Sequence, residues 1–261
     1  MTYVAILRAR RIFIRFVVVF VVLAIFDVFA TLGTIHHGVI TVDGRMQQVR
    51  VPAGALVAAV GFVAIVCATF LASGLDADYR RAAIAWTRPF PRLMHALTAY
   101  AVDAVAVVAL WVFLLALMAV CVGVEGLGGT IVPVAAGFDS VLPVAAAAAM
   151  FYGLIVAAGA AWPGHGDRVT GLAWAATLIV PVLASIHELG VFHPVFVALN
   201  YLDPLSYAGN VHIGQQVAMV GTNGAQASAW SAPLRAAVAA GWAILFLSVG
   251  TRLWTTREVA A

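Results

Sequence analysis

The segment SIHELGVFH, residues 185–193, brings His187, Glu188 and His193 close together in sequence. Those are the residue types of a zinc hydrolase: imidazole nitrogens to hold the ion and a carboxylate to activate its water. The spacing differs from that pattern. H-E-x-x-H sets its histidines one turn apart on one helix face, whereas His193 comes after Gly190 and next to Pro194, too late for that face. The segment therefore reads as a polar cluster at a helix end, with no metal expected. An intramembrane metal-dependent hydrolase using His187, Glu188, His193 and Asp203 stands as the enzymatic alternative. His36, His37 and His212 are expected on the same face, where weak metal capture or a pH response is open to them. No Ser-His-Asp spacing stands out.

Two aspartates lie where charge is costly. Asp27 falls within the first long apolar run and Asp103 within the third; insertion scales put such a residue at about 2.5–3.5 kcal/mol at mid-span. Asp27 can face a wet cavity, be protonated, or bond to a neighbouring helix. Asp103 follows Tyr100 by one helical turn on the same face, and with Arg92 and His95 it is expected in a polar network at the inner end. Asp27, Tyr100 and Asp103 are thus the candidates for a substrate pathway or an intramembrane polar site.

The elements that must position these groups follow from composition. The 261 residues are 64% hydrophobic and 10% charged, and mean hydropathy is +1.04. A soluble domain carries roughly a quarter charged residues, so the chain is an all-α polytopic membrane protein with no soluble domain. All 14 basic residues are arginine, and the pI of 9.2 reflects topology and not nucleic-acid binding. Cys67 and Cys121 both sit inside apolar runs and read as small buried hydrophobes. The arginines before the first apolar run resemble a signal peptide, but the run is long, Asp27 interrupts it and no small-x-small site follows, so an anchored span is expected.

Runs of about 20 apolar residues predict six spans, near 16–35, 53–74, 93–122, 140–162, 169–189 and 232–254, all in a single transmembrane domain. The third is longer than a bilayer requires and is expected to tilt or project. If the spans alternate, Arg8, Arg10, Arg11, Arg15, Arg80, Arg81, Arg88, Arg92, Arg168, Arg252 and Arg257 share one side, and only Arg45, Arg50 and Arg235 fall opposite. Excess positive charge marks the cytoplasmic side, so both termini are expected there. The 140–162 run is dense in alanine and glycine, which lets helix backbones approach closely.

Two connections are unusual. Residues 76–92, DADYRRAAIAWTRPFPR, concentrate Asp76, Asp78, Tyr79, Arg80, Arg81, Trp86 and Arg88 between two apolar runs. Pro89 and Pro91 end any helix there. The segment reads either as a topogenic loop or as a short surface helix seated in another protein. Residues 193–220 are too interrupted by Pro194, Pro204 and Gly209 for a span, yet too apolar for a solvated loop. Broken helices re-entering the outer leaflet are expected, with Asn200, Asp203, Pro204 and Tyr207 in them, and such backbone needs protein or a wet cavity around it.

Six spans, an arginine-rich amphipathic start, TRPFPR leading into the third span and NYLDPLSY before the sixth together resemble the permease subunit of type-2 ATP-binding-cassette (ABC) exporters. The resemblance implies that residues 76–92 form a coupling helix pressed into a separate ATPase subunit, with Asp76, Asp78, Tyr79, Arg80, Arg81, Trp86 and Arg88 as its contacts. It implies a two-plus-two assembly with a second permease copy or a paralogue, in the bacterial inner membrane. It also implies export of an amphiphilic substrate such as a drug, peptide, lipid or glycan precursor. Where many relatives carry a glutamate and a Gly-Thr-like pair, this chain has Asp76, Asp78 and Tyr79. A phosphate-binding loop needs a lysine and the chain has none. It is therefore not expected to be an enzyme by itself or to bind a cofactor, and ATP and Mg belong to the partner. A non-transporting scaffold or sensor of the same architecture is the third possibility.

Overall fold

The computed structural model describes residues 6–14, 21, 25, 39–42, 45–48, 51–82, 92–124, 131–132, 138–209, 211–213, 216–218 and 230–256. Residues 6–14 form helix α1. The long helices are α2 (Ala53–Ala82), α3 (Arg92–Val124), α4 (Val141–Ala161), α5 (Gly166–Ser185) and, after a region of short helices and strands, α8 (Ala232–Thr256). Each of these five contains a stretch long and apolar enough to cross a membrane. The protein is a multi-pass helical membrane protein. Apart from Val21 and Ile25, which are helical, the expected first span lies outside the described residues, as does Asp27.

Four spans match their expected positions to within a few residues. The fifth stops earlier than the expected 189: α5 ends at Ser185, and a 3-10 segment (His187–Phe192) follows in which Gly190 turns the chain at φ 56°. The third is the longest, 33 residues or about 50 Å, longer than a hydrocarbon core of about 30 Å. Val105, Val108 and Val112 form an exposed apolar stripe along it, as expected of a surface whose solvent is lipid.

The core is organised around α4, which packs mainly on α8 and α2. Buried Phe151, Ile155 and Val156 of α4 meet Ile65 and Ala68 of α2 and Trp254 of α8 in one cluster. Small residues set the spacing. A Cβ on Gly153 would stand 3.0 Å from the Ala243 carbonyl oxygen, and one on Gly250 would stand 3.1 Å from Ala157 N, so the two backbones meet where glycine leaves room. The same holds at the start of α5, where a Cβ on Gly166 would fall 2.6 Å from Ser73 O of α2.

The short strands lie in the connections. β1 (Val39–Val42) and β2 (Arg45–Gln48) form an antiparallel hairpin, β3 (Val51–Pro52) runs parallel to β4 (Ile131–Val132), and β5 (Val211–Ile213) pairs antiparallel with β6 (Gln216–Ala218). Arg92 donates to Thr255 O at 3.2 Å and Tyr100 bonds Thr251 at 3.0 Å, which places the start of α3 beside the end of α8. With the Ser73–Gly166 approach, this gathers the arginine-flanked helix ends on one side.

Between α5 and α8 lies the expected broken-helix region. α6 (His193–Asn200) and α7 (Pro204–Ala208) are its helices, and the β5–β6 hairpin forms the remainder, so residues 211–213 and 216–218 are strand and not helix. Tyr207 of α7 is fully buried in a cluster with Met150 of α4 and with Ala239 and Ala243 of α8. Those partners lie well inside their helices, so α7 is packed against the long helices and covered by protein.

Candidate functional site: a buried ionic hub joining four helices

The N-terminal helix places one guanidinium inside the bundle. Arg8 is 4% exposed. Its Nε and Nη2 donate to Asp103 Oδ1 and Oδ2 at 2.7 and 2.6 Å, a fork-on-fork pair with α3. Nη1 donates to Asp78 Oδ2 of α2 at 2.6 Å, and Nη2 also reaches Leu71 O at 2.9 Å. Arg11, one turn on, pairs with the other Asp78 oxygen. From α4, Tyr152 donates its hydroxyl to Asp103 Oδ2 at 2.6 Å.

Two arginines and two aspartates balance in charge, and Asp103, 1% exposed, has both oxygens bonded. Such satisfaction makes ions tolerable at this depth; a buried charge without its partner is strongly destabilising. Asp103 lies about 16 Å along α3 from Arg92 at 1.5 Å per residue, and Arg8 reaches it from the arginine-rich side. The hub links α1, α2, α3 and α4. Removing only the Tyr152 hydroxyl, by Tyr152→Phe, is expected to cost about 1.5–3 kcal/mol, the range for a hydrogen bond to a charged group, read as a lower thermal midpoint in detergent.

The predicted residues are distributed as follows. Tyr100 does share a region with Asp103, but its hydroxyl bonds Thr251 of α8 and its ring stands edge-on to Tyr152 at 6.0 Å. Arg92, expected beside Asp103, reaches Thr255 O of α8. Asp78, expected as a contact for a partner, is held by Arg8 and Arg11 inside the chain. Helical backbone runs without a break through Ala82, so Asp76, Asp78, Tyr79, Arg80 and Arg81 continue α2 and do not begin a separate surface helix. Trp86 and Arg88 lie outside the described residues.

Between α5 and α8, Asp203 caps α7 by accepting from Leu205 N at 3.0 Å, and Pro204 occupies the first position of that helix. Asn200 is buried at the end of α6. Tyr207 Oη donates to Tyr201 O at 2.7 Å. His187 and His193 stack at 4.8 Å between ring centroids, with His187 Nδ1 3.1 Å from Ser185 O and His193 Nε2 3.1 Å from Ala184 O. Their nitrogens thus face the end of α5, and among the described residues no three or more His, Cys, Asp or Glu side chains gather as a metal would need.

Arg8 and Tyr152 are the residues that sequence reasoning missed. Arg8 counted only as a marker of orientation, although an aspartate within an apolar span calls for a cation and no arginine lies within the third or fourth apolar run to supply it. No protein-family model, curated protein or solved structure matches this chain.

Proposed function

We propose that this chain is the membrane-spanning permease subunit of a bacterial ABC exporter. It sits in the cytoplasmic membrane with both termini inside and moves an amphiphilic substrate with ATP hydrolysed, with Mg, on a separate ATPase subunit. Two permeases, identical or paralogous, complete the assembly. The resemblance of TRPFPR and NYLDPLSY to type-2 permeases supports this reading.

The observation that carries it is the position of Asp78. It stands where α2 runs into the segment that would meet the ATPase, and it shares Arg8 with Asp103 of α3, which Tyr152 of α4 also holds. Work applied at residues 83–91 would therefore act through α2 and the hub on α1, α3 and α4, by contacts and not by distance alone.

Arg81→Glu with Trp86→Ala is expected to leave the spans inserted while the ATPase no longer co-purifies and ATP-driven uptake into inverted vesicles is lost. Wild-type co-purification and uptake in that variant would sink the assignment. An ATPase that binds without moving any cargo would indicate a scaffold or sensor instead.

A further inference from the structure

Two side-chain oxygens between α5 and α8 are buried with no hydrogen-bond partner: Asn200 Oδ1 and Asp203 Oδ2, on residues 5% and 4% exposed. Both are acceptors when Asp203 is ionised, and a buried carboxylate oxygen lacking a donor carries a heavy desolvation cost. The two residues share one turn, Asp203 N donating to Asn200 O at 3.2 Å, with Ser206 Oγ donating to Asp203 O at 2.7 Å. Asp203 Oδ1 is used by Leu205 N, so only Oδ2 is open.

The elements packed on α7 bring little charge to this point. Between its ends α4 carries Tyr152 as its one titratable side chain, and that hydroxyl is given to Asp103. The outer end of α8 carries Arg235, whose guanidinium lies against Gly209 past the far end of α7, where a Cβ would collide with Nη1. Asp203 Oδ2 has no hydrogen-bond partner, so no Arg235 nitrogen donates to it. In α7, Tyr207 donates to Tyr201 O; at the start of α6, His193 faces Ala184 O. Asp139 of the 3-10 turn before α4 is exposed.

We propose that Asp203 is a proton-binding site: its carboxyl stays neutral, donating from Oδ2 to the side-chain oxygen of Asn200, while α7 is seated against α4 and α8, and it ionises when α7 leaves. One proton turns an orphan acceptor into a donor for the other orphan. Burial pushes the Asp203 carboxyl up to about 7, against the opposing effect of the Leu205 and Ser206 N–H groups. A folded-state value above the ordinary one means that the seated state binds more protons than the released one. Seating is then strongest at pH below the ordinary aspartate range and weakens as pH rises through about 7. The result is a proton-linked latch between the fifth and last spans, independent of what the chain transports.

Infrared spectroscopy of the full chain in phosphatidylcholine nanodiscs tests this. A protonated-carboxyl band is expected at about pH 5 and lost by about pH 9; it should be missing in Asp203→Asn and displaced in Asp203→Glu, which serves if the asparagine variant does not fold. The thermal midpoint of the wild type should fall over that range by more than that of Asp203→Asn. An Asp203 that is ionised at about pH 5, accepting from a rotated Asn200 amide, would overturn the proposal, as would a band unchanged in both variants.

Discussion

Arg8→Ala is expected to destabilise the folded chain by about 3–5 kcal/mol, the cost of leaving a buried charge without its partner. Asp103, 1% exposed, would lose both guanidinium bonds and retain the Tyr152 hydroxyl, and Asp78 would lose one of its arginines. Thermal unfolding in detergent and trypsin cleavage near residues 6–14 report the loss, because α1 is fastened to α2 and α3 by these bonds. The sharper comparison is the double variant Arg8→Met with Asp103→Leu. Replacing a buried pair by apolar groups of similar volume is often neutral or stabilising, so the double variant should recover much of what Arg8→Ala loses. If the hub also transmits work from an ATPase, that recovered fold would still fail to move cargo. Equal stability of Arg8→Ala and wild type would show that Arg8 does not occupy the bundle.

Tyr207→Ala is the second large effect. Its ring is fully enclosed by Met150, Ala239 and Ala243, and truncating an aromatic in such a site costs about 3–5 kcal/mol. The loss should be local. α4 and α8 remain joined by their glycine-lined contact at Gly153 and Gly250, while α7 loses its anchor. Cysteines introduced at Ser206 or Asn200, buried in the wild type, should become open to bulky polar reagents in Tyr207→Ala, with the long helices still protected. Full accessibility of these positions in the wild type would make the segment an ordinary loop.

Hydropathy alone was enough to locate the long helices, because each apolar run is bounded by charge, glycine or proline. The end of α5 was misplaced by a few residues for a local reason: Ile186 and Leu189 continue the apolar count across His187 and Glu188, but Gly190 at positive φ and Pro194 turn the chain back into α6. The break into short helices between α5 and α8 was legible from Pro194, Pro204 and Gly209. Its β5–β6 end was not, since QQVAMV alternates too briefly to separate strand from broken helix. Asp103 was legible as a residue that must have a partner. The identity of that partner was not, because Arg8 reaches Asp103 across 95 positions of chain and Asp78 across 70, and no local spacing encodes a contact of that range. Asp78 likewise read as a surface charge, and only the folded chain shows it half-buried between two arginines.

The mass of the intact complex extracted from its native membrane in mild detergent tests the exporter reading most directly. The expected result is two permease chains of this size or one with a paralogue, together with two copies of a nucleotide-binding subunit, both of which are lost from the complex in Arg81→Glu with Trp86→Ala. A chain that emerges alone or only with itself, from membranes in which it is abundant and folded, would contradict the account.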